Sequence, residues 1–139
     1  MAQMVLRNPV RLPSDLSGYN PLIPAQQPDT LEQQQSQRLL LCSRCQWPIT
    51  DETRRIAIAG NHEHTVFNPH GIVFQIGCFQ IAPGCDGVGD WSGEFSWFRD
   101  YLWQIVLCHC CQWHIGWRFR SQTAAEFFGL ILNRLTRSS

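Results

Sequence analysis

Apolar and polar positions begin to alternate only beyond about residue 38, and from there they do so in short bursts. RRIAIAG (54–60), HTVFNPHGIVFQIGCFQ (64–80), YLWQIVLC (101–108) and HIGWRFR (114–120) are rich in Ile, Val, Phe and Trp and bounded by turn residues. This pattern predicts strands. Asn68-Pro69-His70-Gly71 interrupts the second run, which therefore reads as a hairpin. Near the end, Thr123 and Glu126 have capping-box spacing ahead of AEFFGLILNRL. Phe127, Leu130, Ile131 and Leu135 follow at helical intervals, predicting one short C-terminal helix packed on the sheets. The fold class is mainly β.

The segment before this pattern has a different composition. Residues 1–37 hold five of the eight prolines, the QQQ run and a single aromatic, Tyr19, whereas all seven cysteines and all six tryptophans come later. Such a segment cannot build a core and is expected to be a flexible tail (1–37) on a domain spanning 38–139. Formal net charge is zero, which gives no electrostatic footprint for nucleic acid or an anionic membrane. All eleven basic residues are Arg, which excludes Schiff-base and P-loop lysine chemistry. No secretory leader or long apolar span is read in the sequence, and a soluble, cytoplasmic protein is expected.

Seven cysteines without a leader fit metal ligation better than disulfides. Cys42-Ser43-Arg44-Cys45 and Cys108-His109-Cys110-Cys111 are Cys-x-x-Cys knuckles, and two of them complete a tetrahedral four-cysteine zinc site. With no position left for water, the zinc is structural, pinning the start of the domain to its far end. A redox Cys-x-x-Cys would need a βαβ setting that the sequence lacks. Cys110 breaks the symmetry of its knuckle and reads as a free thiol, and Cys78 and Cys85 read as packing residues.

The tryptophans crowd around the second knuckle. Trp117 and Phe119 share one strand face, as do Trp103, Ile105 and Leu107 on the preceding strand, while Trp97 lies in the loop upstream. If the two strands pair, Trp103 and Trp117 approach and Trp97 can fold over them. Core filling is one reading. Against it, each buried indole N–H needs an acceptor, so three clustered donors suit a binding cage better. Cages serve either ammonium groups or neutral flat rings, and the nearby acids Glu94 and Asp100 leave both open.

The ordered set NPHG (68–71), EFSWF (94–98), Tyr101 with Trp103, Cys-x-x-Cys (108–111), HIGWRF (114–119) and FFGLI (127–131) resembles the CULT domain. That is the thalidomide-binding domain of the cereblon family, which also occurs as a stand-alone bacterial protein. The resemblance runs from about residue 39 to 136. It implies a β-tent, two antiparallel sheets pinned by a zinc ion on Cys42, Cys45, Cys108 and Cys111. Trp97, Trp103 and Trp117 match the cage walls, Phe119 the floor and Asn68 the rim. The backbone around Phe95 and Trp97 matches the segment that hydrogen-bonds an imide.

The implied ligands are cyclic imides (glutarimide, thalidomide-like), hydantoins and uracil-type rings, possibly presented as a modified peptide end, and no reaction is implied. Phe95 stands where animal cereblons have His, and Ile72 where they have Tyr, so an altered ligand preference is expected. The chain has no room for a Lon-like domain, so no ubiquitin-ligase adaptor is expected as a partner. His114 matches a family histidine beside the knuckle and reads as structural. Two other classes stay open: an enzyme similar to methionine-sulfoxide reductases on a related zinc scaffold, and an aromatic-cage reader of methylated ammonium groups. The reductase motif is incomplete here, since no cysteine follows Cys111.

Overall fold

The computed structural model describes residues 38–138, and the expected tail lies outside the described residues. Nine strands occur among the described residues: β1 (Leu39–Cys42), β2 (Pro48–Asp51), β3 (Glu63–Phe67), β4 (Val73–Phe79), β5 (Cys85–Ser92), β6 (Leu102–Cys108), β7 (His114–Arg120), β8 (Phe127–Ile131) and β9 (Leu135–Arg137). They form a three-stranded sheet, β9-β1-β2, and a six-stranded sheet, β3-β4-β8-β7-β6-β5, both antiparallel. The mainly β architecture of two antiparallel sheets agrees with the sequence reading. No helix among the described residues is long and apolar enough to cross a membrane.

Alternating side chains sort into two apolar clusters, one on each face of the large sheet. Leu40, Cys42 and Ile49 of the small sheet meet Phe79, Val106, Cys108, Ile115 and Leu130 of the large one. On the opposite face, Val66, Ile76, Cys78, Trp117, Phe119, Phe127 and Ile131 pack with Phe98 from a loop. Ile115 and Trp117 have the same parity yet belong to different clusters. A bulge explains this: Val106 pairs with Gly116 but Leu107 pairs with His114, so Ile115 is the extra residue on β7. The bulge re-aims the chain, sending Ile115 toward the small sheet and Trp117 to the far face.

Three expectations about elements need correction. FFGLI is strand β8, paired on both sides with β4 and β7, and only Leu132–Arg134 form a single 3-10 turn. The expected C-terminal helix is absent because Phe127, Gly129 and Ile131 point to one face and Leu130 to the other, so both faces are buried and the apolar run imitates helical spacing. Thr123, expected as a helix cap, instead donates its backbone N–H to Ser121 Oγ. The run at 54–60 is not a strand either. It follows a 3-10 turn at Glu52–Arg54 and touches the end of β4 through the Arg55–Phe79 bridge and the Ile56 N–H to Cys78 carbonyl bond. Conversely, Cys85 opens a glycine-rich strand, β5, that the alternation of apolar positions does not mark.

Candidate metal centre and aromatic cluster

The two knuckles are copies of one local structure. Both read Cys-x-x-Cys-Gln-Trp, at 42–47 and 108–113. In each, the first Cys N–H donates to the Trp carbonyl at 2.8 Å, and the Gln N–H donates to the first Cys carbonyl at 2.8 Å. Gln46 and Gln112 adopt positive φ values of 68° and 65°, closing each turn. The knuckles also interlock: Trp47 packs on His109 at 5.4 Å, and the Arg44 guanidinium lies 4.3 Å from the Trp113 ring centre. The Gln-Trp pair is written in the sequence twice, though only the cysteines draw attention there.

All four thiol sulfurs lie within 4.8 Å of one another, and Cys42–Cys111 and Cys45–Cys108 are 3.7 and 3.5 Å apart. A disulfide would require about 2 Å. A tetrahedron with metal–sulfur bonds of about 2.3 Å has edges of about 3.8 Å, so these spacings suit a single ion. Cys42 and Cys108 are buried and Cys45 and Cys111 are half-buried. Burial pushes the thiols of Cys42, Cys45 and Cys108 up, while Cys111 is drawn down by the backbone N–H of Trp113. A cation replacing those protons restores what burial takes away, so the four cysteines can hold a metal ion.

The remaining thiols differ. Burial pushes both Cys78 and Cys85 up to about 12, which leaves them as protonated packing groups, and Cys85 Sγ donates to the Ala82 carbonyl at 3.2 Å. Cys110 is exposed on its knuckle. His114 is half-buried, with Nε2 3.0 Å from the Gly116 carbonyl and its ring edge-on to Trp117 at 4.7 Å. A carbonyl partner requires the ring nitrogen to donate. Burial, assisted by Arg134, lowers the His114 pKa below its ordinary value, so the ring is neutral at pH 7.

On the far face of the large sheet, Trp97 stands edge-on to Trp117 at 4.7 Å and 85°, and lies 6.4 Å from Phe119. Trp103 faces Phe119 across β6 and β7, with Ile105 opposite Trp117, so the expected Trp103–Trp117 approach is diagonal. Among the described residues Trp103 makes no ring-to-ring contact; its Nε1 instead donates to the Glu94 carbonyl at 2.7 Å. Trp97 Nε1 donates to the Phe67 carbonyl at 2.7 Å, tying the 93–100 loop to the β3–β4 hairpin. Phe119 is completely buried, and Gly129 makes room for it: a Cβ there would meet the Phe119 ring at 3.0 Å and Ile76 at 2.9 Å.

Asn68 closes the hairpin turn, its side-chain oxygen accepting the N–H groups of His70 and Ile72 at 2.9 Å each. Phe95, with φ of 56°, lies in the 93–100 loop and is 71% exposed. The geometry thus collects Trp97, Trp103, Trp117 and Phe119 around one apolar cluster, with Asn68 and Phe95 on the two neighbouring turns.

The fold and centre define a mainly β domain whose two sheets meet at a four-cysteine cluster able to hold a metal ion. No protein-family model matches the chain. Among curated proteins it is similar to protein cereblon of Drosophila erecta, 30% identical over 99 residues, covering 66% of this chain and 17% of that protein. It is likewise similar to protein cereblon of Drosophila melanogaster, 36% over 69 residues (45% and 12%), and of Drosophila willistoni, 46% over 46 residues (30% and 8%). The matches therefore span less than a fifth of those relatives' length. The chain carries a cereblon-like CULT domain.

Proposed function

We infer that this domain is a binding module, not an enzyme, that holds cyclic imides, hydantoins or uracil-type rings between Trp103 and the Trp97–Trp117 pair, above Phe119. The observation that carries the reading is the perpendicular Trp97–Trp117 corner, with Trp103 on the adjacent strand held out of ring contact by its bond to Glu94. Aromatic walls of this kind suit a flat ring. The Trp97 and Trp103 N–H groups are already bonded to carbonyls, so those indoles are held rigidly as walls. A planar imide offers one donor flanked by two acceptors, which the loop backbone around Phe95 and Trp97 and the Asn68 amide can meet. The occupant is a free ring or a cyclic-imide-modified peptide end; no nucleic acid, membrane or ubiquitin-ligase adaptor is proposed as a partner.

Zinc is the proposed ion at Cys42, Cys45, Cys108 and Cys111, because a closed four-thiolate tetrahedron is its usual structural site. The reductase reading is weakened by the protonated state of Cys78 and Cys85, both pushed up to about 12. Calorimetric titration of the zinc-loaded protein with glutarimide, N-methylglutarimide and tetramethylammonium tests the function. Binding of glutarimide alone supports the reading. A response to the ammonium ion without one to glutarimide overturns it.

A further inference from the structure

A separate cleft opens where the large sheet loses a strand. The β4–β8 ladder ends at Ile76–Ile131, after which the chain turns away through Leu132–Arg134, leaving Val73–Gln75 paired only with β3. The gap is a cavity of about 290 Å³, lined by Val73, Phe74, Gln75, Trp113, Asn133 and Arg134 among others. This volume lies near the lower end for small-molecule sites. Phe74 and Trp113 give it an apolar wall.

Its charge is one-sided. Arg134 is half-buried, its guanidinium carbon lies 4.9 Å from the Trp113 ring centre and 5.9 Å from that of Phe74, and one nitrogen donates to the His114 carbonyl at 2.7 Å. Among the described residues no carboxylate reaches Arg134 within ion-pair distance; the four ion pairs lie elsewhere. A guanidinium carries five N–H donors in a planar fork that matches a carboxylate, so most of its capacity is open. Asn133 adds a neutral polar group, and the one-sided edge of β4 offers backbone groups to an extended chain.

We propose that this cleft is a second binding site, for a carboxylate carried on an apolar or aromatic group, with Arg134 as the anion contact and Phe74 and Trp113 as the apolar wall. The carboxylate can belong to a free hydrophobic acid or to the carboxyl end of a peptide that adds to the β4 edge. The site shares a border with the three-tryptophan cluster, since Phe74 stands edge-on to Trp117 at 5.1 Å, but it uses none of the three indoles and so stands whether or not imides bind there.

The test uses the full zinc-loaded chain and ¹H–¹⁵N spectra titrated with hydrocinnamate, hydrocinnamide, and N-acetyl-alanyl-phenylalanine as acid and as amide. The acids should shift the Trp113 indole N–H and the Val73–Gln75 amides, while the amides leave them in place. Val73→Glu puts a like charge at an exposed position of the lining and should weaken the acids by about tenfold or more without unfolding the domain. Stronger binding of the dipeptide acid with larger β4 shifts identifies a peptide end, and equal binding identifies a free acid; both support the site. Equal responses to acids and amides, no response to either, or full binding by Val73→Glu would overturn it. So would silence toward acids joined to zinc loss in Arg134→Gln, which would make the guanidinium a countercharge for the thiolates.

Discussion

Trp97 meets Trp117 at a right angle, 4.7 Å between ring centres, and the contact joins a loop residue to the middle of the large sheet. Trp97 is fixed through the Phe67 carbonyl, and Trp117 is aimed by the bulge at Ile115. The corner is therefore set by the fold itself, which would lower the ordering cost of the proposed binding.

Trp103 is the proposed wall whose replacement disturbs the core least, because it is half-buried whereas Trp117 is only 6% exposed. Trp103→Ala should reduce glutarimide affinity by about tenfold or more, the equivalent of about 1.4 kcal/mol, while the thermal midpoint changes little. Calorimetry and differential scanning on the same samples separate the two effects. An unchanged affinity would remove Trp103 from the proposed slot.

Metal removal should unfold the domain, since the knuckles join β1 and β2 of the small sheet to β6 and β7 of the large one. One zinc per chain is expected by elemental analysis, and Cys108→Ser should lose both the metal and the near-ultraviolet dichroism of the tryptophans. Cys110→Ser should lose neither, because its side chain is exposed and lies outside the four-thiol cluster.

Gly129 tests the floor of the cluster. Gly129→Ala places a methyl group 2.9 Å from Ile76 and 3.0 Å from the Phe119 ring, both fully buried. Overpacking of this kind costs about 1 to 3 kcal/mol, so chemical denaturation should shift accordingly, and imide binding should weaken through the displaced Phe119.

His114 gives the stability a definite pH dependence. Its folded pKa lies below the ordinary 6.5, mainly through burial. Above 6.5 the ring is neutral in both states and its contribution is fully present. As pH falls below 6.5 the unfolded chain takes up the proton first, so stability declines until the folded pKa is passed. His114→Gln retains a donor for the Gly116 carbonyl and should flatten this part of the profile, measured by urea unfolding in excess zinc.

Much of this was legible in the chain. Asn68-Pro69-His70-Gly71 marked a hairpin because its turn chemistry is local: the Asn68 side chain caps two N–H groups within four residues, and Gly71 supplies a φ of 82°. The paired Cys-x-x-Cys spacings marked one centre for the same reason, since each knuckle is closed by bonds within its own six residues. The Phe127–Ile131 run was different. Its pattern fits a helix or a strand buried on both faces, and neighbours far away in sequence, β4 and β7, decide between them. Gly87 and Gly89 hid β5 in the same way, since that strand owes its form to pairing with β6.

By itself, then, the sequence determined which residues could act together: four thiols for one ion, three indoles and a phenyl ring for one apolar cluster. The Cys-x-x-Cys pairs follow from residue type and short-range spacing, whereas Phe119 as the floor of the indole set was what the resemblance to the CULT domain implied. The tertiary structure alone decided their placement, because register and the Ile115 bulge are long-range properties of paired strands. They put Trp103 opposite Phe119 and Trp117 on the face away from the cysteines. They also opened the Arg134 cleft, which exists only because β8 leaves β4 before pairing with that strand's first three residues.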